Sequence, residues 1–352
     1  MRTPEELEAA TGMSFRDALA DIAQIPYRTV AEARATEHPF VTVVIPTHKR
    51  LDFLTEAVRS VLAQDFARPV EIVITDDDPA STVADALLAR LPELRRCDFR
   101  YVVNERNLGL YSNHNRGIQL ARGEWVAFLD DDNLLEPDFL GSLFAIIDRQ
   151  PTVQAILPRN STFDERPGVA QHGQGRSVAW HVASRLLIEW NFLGRSYRRF
   201  PVGKFFWGAV YEGSGGCLFR TSHLREVGGF YPEELPTSDL WMMARYARLF
   251  GLHQARVKGF RIRIAENESG NPATIRKGLY WGHKLQSSLV GRDVPGWYRR
   301  LLPHMFAQYR AEVRDFWKVD VPEREVEAVI GAPLPKPRRV LLRAAQTALR
   351  GF

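Results

Sequence analysis

Three polar clusters in this chain of 352 residues stand directly after apolar, β-rich runs: Pro46-Thr47-His48-Lys49-Arg50, Asp76-Asp77-Asp78 and Asp130-Asp131-Asp132-Asn133. They offer six carboxylates beside hydroxyl and cationic groups. Six like charges brought to one crevice repel unless some bind a cation or sit apart. Hard divalent ions such as Mn²⁺ or Mg²⁺ take oxygen ligands, usually one or two carboxylates together with substrate phosphates. Such an ion would offset the charge of a diphosphate that an acidic edge could not otherwise tolerate.

The elements before these clusters must bring them together. Residues 40–45 form a β-rich run ended by Pro46, and Leu51, Leu54, Val58, Val61 and Leu62 follow at helical spacing. The pattern repeats: strand 70–74 and helix 81–91, strand 99–103 and helix 112–121, strand 125–129 and helix 139–147, then strand 154–157. Strands alternating with helices predict right-handed crossovers and a mostly parallel sheet. Near-continuous apolar strands predict burial on both faces. Ligands of such sheets bind outside the carboxyl ends of the strands, which is where the three clusters fall.

Upstream, residues 4–24 read as one helix opened by Thr3-Pro4-Glu5-Glu6 and stopped by Pro26, with a short linker to Pro39. Residues 159–215 are rich in Gly, Arg and aromatic residues and read as a loop-and-hairpin region covering a site. Beyond them, 217–219 and 257–264 read as strands, 238–250 as a helix, and 273–330 as further helices. Ala332-Pro333-Leu334-Pro335-Lys336-Pro337 is a short stiff linker.

A composition of 45% hydrophobic and 25% charged residues is that of an ordinary folded protein. No run approaches the roughly 18 apolar residues of a membrane span, and the acidic N-terminus lacks a signal-peptide core. Cys97 and Cys217 are far apart, which argues against a disulfide framework or zinc site and for a reducing cytoplasm. The net charge of +5 is a property of the tail: Lys336, Arg338, Arg339, Arg343 and Arg350 lie within residues 336–352, which hold no acid. A basic stripe across the body, expected of a nucleic-acid binder, is lacking. Leu341, Ala345, Ala348 and Phe352 share a helical face opposite Arg339, Arg343 and Arg350. Residues 338–352 could therefore lie on an anionic membrane interface, or pack on the protein.

The segments VTVVIPTHKR (41–50), EIVITDDDP (71–79), NLGLYSNHNRGIQLARGEWVAFLDDDN (107–133) and GGFYPEELPTSDLWMMARYARLFG (228–251) together resemble a family 2 glycosyltransferase of the GT-A type over about residues 40–251. The resemblance implies an α/β, Rossmann-like fold, with a mostly parallel central sheet flanked by helices and with helical N- and C-terminal extensions. It divides the chain into an N-terminal extension (1–38), a GT-A domain (39–270; donor half about 40–135, acceptor half about 136–270), a helical region (271–330), and a linker and tail (331–352). It implies a nucleotide-sugar donor, a UDP-sugar first, with Mn²⁺ or Mg²⁺ as cofactor. The acceptor would be a glycan, a lipid-linked saccharide or another hydroxyl compound, met in the cytoplasm or at the inner face of a membrane.

Laid onto positions, the resemblance puts Pro46, Thr47 and Arg50 on the nucleotide, Asp76 on the base, and Asn107, Gly109 and Asn115 beside the nucleotide. Asp130 and Asp131 would hold the donor, with Asp132 and Asp130 on the metal. Asp239 would be the general base that an inverting transfer requires. Three departures stand out. The usual arginine before Asn115 is His114, the usual glutamate before Asp239 is Ser238, and Ala265-Glu266-Asn267 stands where many relatives carry a histidine.

Plainer roles compete for the same residues. The aspartate triplets could be turns, Ser238-Asp239 a helix cap, and the asparagines local backbone partners. Gly213-Ser214-Gly215-Gly216 is not a dinucleotide fingerprint; Gly215 and Gly216 allow close backbone approach beside a donor sugar, or a hairpin turn. Trp207, Trp180 and Trp190 could stack on an acceptor sugar or pack in the core. Two other functions share the fold: a sugar-nucleotide nucleotidyltransferase, disfavoured by the lack of glycine after the first strand, and a degenerate binding protein.

Overall fold

The computed structural model describes residues 2–164, 192–207, 213–264 and 271–335. Trp180, Trp190, the Ala265-Glu266-Asn267 segment and the basic tail lie outside them. The N-terminal region holds α1 (Pro4–Thr11), α2 (Ala18–Ala23) and β1 (Tyr27–Ala33). The single helix expected over 4–24 is broken. Gly12 takes a left-handed conformation (φ 62°), and the Asp17 carboxylate accepts from the Leu19 and Ala20 amides to start α2 afresh. The expected linker before Pro39 contains β1, which pairs antiparallel with an edge of the sheet. It is largely exposed and so lacks an apolar run that would mark it.

The alternating region follows the sequence pattern: β2 (Val41–Thr47), α3 (Leu51–Leu62), β3 (Val70–Asp76), α4 (Val83–Arg90), β4 (Asp98–Asn104), α5 (Leu110–Leu120), β5 (Trp125–Phe128), β6 (Leu134–Leu135) and α6 (Phe139–Ile147). β7 (Ala155–Asp164), β8 (Tyr197–Arg199), β9 (Leu218–Arg220), α7 (Thr221–Glu226), α8 (Ser238–Phe250) and β10 (His253–Ile264) complete the sheet. Its order is β1-β4-β3-β2-β5-β9-β7-β10-β6, with β8 on β10. β4, β3, β2 and β5 are parallel neighbours, and β9 runs antiparallel between β5 and β7. α9 (Pro272–Leu289), α10 (Leu302–Trp317) and α11 (Glu323–Ile330) follow.

All seven residues of β2 are buried, as a strand covered on both faces requires. Val41, Val43 and Ile45 point to the layer of α3, where Leu54 and Val58 sit; Val44 points the other way, to Ile118 of α5. A Cβ on Gly117 would come 2.1 Å from Val44 Cγ1, so only glycine lets α5 lie this close.

Asn115 of α5 is fully buried, and its amide clamps one residue: Nδ2 donates to Phe230 O (2.7 Å) and Oδ1 accepts from Phe230 N (2.8 Å). This clamp ties the donor-side helix to the segment that leads into α8. Asn115→Ala would leave both buried backbone groups unpaired, at a cost on the order of 3 kcal/mol. A urea unfolding midpoint equal to that of the wild type would contradict this.

Candidate active site

Strand register brings the polar clusters together. Thr47 pairs with Asp76 across β2 and β3, and Asp76 with Val103 across β3 and β4. β5 ends one strand away from β2, where Leu129 N donates to Val44 O (3.0 Å). The three polar ends therefore share the carboxyl edge of the parallel strands.

The first and third clusters bond directly. Thr47 Oγ1 donates to Asp131 Oδ2 (2.6 Å), and Arg50 Nη1 donates to Asp132 Oδ2 (2.9 Å) and Asp131 Oδ1 (3.4 Å). Asn133 braces the turn, donating to Asp130 Oδ2 (3.2 Å) and accepting from the Arg263 amide. Arg263 Nε donates to Asp132 O (2.8 Å). Burial pushes the Asp131 carboxyl up to about 6, against the pull of Thr47 and Arg50. Burial first, then the Asp130 charge, raises Asp132 as well. A cation would relieve that repulsion.

The second cluster is more internal. Asp76 has no exposure; its Oδ2 accepts from Tyr101 Oη (2.5 Å) and its Oδ1 from Asp78 N (3.0 Å). Asp77 accepts from the amides of Leu108 and Gly109 (2.8 Å each) and from Asn104 Nδ2 (3.0 Å), which shapes the loop into α5. Asn107 is exposed and makes a local turn, its Oδ1 accepting from Gly109 N (3.1 Å). Pro46 is buried at the end of β2.

Asp239 stands in the first turn of α8, partly buried, with Oδ1 accepting from its neighbour Leu240 N (2.8 Å). Burial raises its carboxyl to about 6; the Leu240 amide and the Tyr111 hydroxyl draw it back, and the Asp130 charge adds to the rise. His114 lies on the same side of α5 as Tyr111. Its Nδ1 donates to Leu110 O (2.9 Å), and its Nε2 is 3.4 Å from Asp130 Oδ1. Asp130 thus lies near enough to Asp239 for their charges to act on each other, with Tyr111 and His114 beside both. The turn before α8 is held by a buried ion pair between Glu234 and Arg245, whose guanidinium lies 3.6 Å from the Tyr231 ring centre.

Glycines form the ceiling. A Cβ on Gly213 would fall 2.5 Å from Asp239 Oδ2, and one on Gly215 would fall 3.5 Å from Asp130 Oδ2 and 2.6 Å from the Phe260 ring. Gly216 has φ 68° and donates its amide to Phe128 O (2.8 Å). Trp207 is buried, edge-to-face with Phe206 and Tyr298. Among the described residues no three His, Cys, Asp or Glu side chains converge as a ready-made metal cage. Asp130 and Asp132 fit an ion whose other ligands come from a substrate phosphate.

Sequence reasoning anticipated the meeting of Thr47 and Arg50 with the acid triplet. It missed Asp77 as loop organiser and Arg263 as brace, because their partners lie on other elements. His114 was visible only as a departure from the expected arginine.

Residues 42–228, a little over half of the chain, match the family model described as Glycosyl transferase family 2. The chain is 38% identical over 102 residues to the succinoglycan biosynthesis protein ExoO of Rhizobium meliloti (strain 1021), spanning 29% of this chain and 28% of that protein. It is 34% identical over 108 residues to the GalNAc(5)-diNAcBac-PP-undecaprenol beta-1,3-glucosyltransferase of Campylobacter jejuni, spanning 30% and 33%. The chain thus spans about a third or less of these relatives' length. In fold it is similar to S. aureus TarS 1-349, crystallised with UDP-GlcNAc, with a TM-score of 0.59 at 17% identity over 89% of both chains. Among the described residues no helix is long and apolar enough to cross a membrane.

Proposed function

The chain belongs to glycosyl transferase family 2, and on that premise we propose that it is an inverting, metal-assisted glycosyltransferase that moves a sugar from a nucleotide-diphosphate donor to an acceptor hydroxyl. One observation carries the reading. Carboxylates from two separate elements, Asp130 of the triplet after β5 and Asp239 on α8, lie close enough to influence each other, with Tyr111 and His114 beside them. An inverting transfer needs that division: one carboxylate set for the leaving diphosphate, and one carboxylate to act as base on the incoming hydroxyl.

In this reading the nucleoside lies along the carboxyl ends of β2 and β3, against Pro46, Thr47 and the Asp76 turn, with Asn107 and Gly109 at its margin. Asp239 takes the acceptor proton as the acceptor oxygen attacks the anomeric carbon. The bond from that carbon to the diphosphate oxygen breaks with its electron pair, and the nucleoside diphosphate leaves on the opposite face. No protein nucleophile is required. Asp130 and Asp132 would hold Mn²⁺ or Mg²⁺, which when bound supplies Lewis-acid stabilisation of the departing diphosphate. Arg50, which holds Asp132, would also meet phosphate, and Gly215 and Gly216, packed on Phe260, would offer the donor sugar backbone rather than a side chain.

A UDP-sugar is the favoured donor, in keeping with a protein of this fold crystallised with UDP-GlcNAc. A lipid-linked saccharide is a fitting acceptor, in keeping with the relative named for an undecaprenol-linked one. The basic tail would then hold the chain at the cytoplasmic face of a membrane.

A thermal-shift panel of UDP-, GDP-, dTDP- and CMP-sugars, with and without Mn²⁺, tests the reading. Saturating a site a hundredfold over Kd stabilises the native state by about 2.7 kcal/mol. The largest shift is expected for a UDP-sugar with Mn²⁺. A flat panel, or shifts indifferent to Mn²⁺, would count against the proposal.

A further inference from the structure

A cavity of about 360 Å³ lies between α9, α10 and the head of α8, with Thr237 and Leu240, close neighbours of Asp239, in its wall. Its volume is within the range of small-molecule sites. Most of its lining comes from the C-terminal helices beyond the family match, with Phe205 and Trp207 added from within it.

Three residues at four-residue spacing put one face of α9 against this cavity: Gly278, Gly282 and Gln286. Glycine in the middle of a helix is unfavourable relative to alanine. Gly278 has a packing reason, since a Cβ there would come 3.1 Å from Pro236 Cγ. Gly282 has none, because a Cβ there meets no atom within 4 Å. The helix therefore gives up stability to leave space. Gln286 is 7% exposed; its Nε2 donates to Phe206 O (2.9 Å), and its Oε1 has no hydrogen-bond partner. A buried amide oxygen without a donor is unfavourable until one arrives.

The remaining wall indicates what fills the space. Trp207, Phe306 and Tyr309 supply aromatic surface, and no Lys, Arg or His is among the described residues that line it. A phosphate would find no cation there, and a lipid tail would leave Gln286 unpaired. We infer that the cavity is an acceptor subsite for one uncharged sugar ring, with aromatic walls for its C–H faces and Gln286 Oε1 accepting from one of its hydroxyls. This rests on the reading of the chain as a glycosyltransferase with Asp239 on the acceptor side.

Saturation-transfer NMR on the full chain, with UDP and Mn²⁺ present, tests it against cellobiose, lactose, maltose and N,N′-diacetylchitobiose. At least one disaccharide should bind the wild type. Gly282→Ala should weaken that binding several-fold and raise the Tm by about 2 °C, and Gly282→Leu should abolish it. The thermal shift with UDP should be unchanged in both. If UDP binds but no disaccharide does, or if Gly282→Leu keeps the signal at a wild-type Tm, the subsite is wrong. If no nucleotide of the thermal-shift panel binds the wild type, the glycosyltransferase reading falls and takes the subsite with it.

Discussion

Asp239→Asn is expected to cut sugar transfer by about 10²–10⁴-fold, the usual contribution of a positioned general base, while nucleotide binding stays as in the wild type. Asparagine keeps the size of the side chain and an oxygen for the Leu240 amide (2.8 Å in the wild type). It removes only the capacity to take a proton. The carboxyl, raised by burial to about 6, must be ionised to act. Wild-type kcat/KM should therefore climb roughly tenfold per pH unit below about 6 and level off above it, and the variant should lack this limb.

The same shift has a sign for stability. The folded-state value lies above the unfolded one of about 3.9, so the native state binds more protons between them. Its stability then falls as pH rises through that window. Asp239→Asn removes the buried charge and should raise the Tm at pH 7 while transfer is lost. Full turnover in the variant, or a wild-type rate that is flat from pH 5 to 7, would remove Asp239 from the chemistry.

Asp132→Asn is the second large effect. Turnover should fall by at least about 10²-fold, since Lewis-acid stabilisation of a leaving group is worth several kcal/mol. The gain in nucleotide binding on adding Mn²⁺ should vanish with it. In the wild type a chelator should abolish transfer, and added Mn²⁺ should restore it. The substitution keeps an oxygen for the Arg50 contact (2.9 Å), so a loss of fold would not explain the result. Undiminished transfer in excess chelator would overturn the metal role of the triplet.

What was legible in the sequence was what local pattern controls. The expected helices 139–147 and 238–250 coincide with α6 and α8, because their apolar residues recur at helical spacing. β2 and β3 stand out because both their faces are buried. The site was legible to the extent that strand ends carry chemistry: Thr47 meets Asp131, and Arg50 meets Asp132, because parallel register makes it so. What was hidden depends on distant partners. β1 is defined by an edge of β4, and Gly12 ends α1 where amphipathic spacing alone would have continued it. Asp77 organises a loop some thirty residues downstream, which no spacing rule announces. Gly282 and Gln286 gain meaning only when α10 and the head of α8 close a space around them.

The ceiling of glycines limits how the enzyme can diversify. Where Gly213 crosses Asp239 and Gly215 crosses Phe260, there is room for backbone and nothing more. A side chain on Gly213 would press on Asp239, and one on Gly215 would press on the Phe260 ring, so that stretch offers no raw material for new preferences. On the proposed reading, any change in what is glycosylated would come instead from α9 and α10, whose residues line the neighbouring cavity.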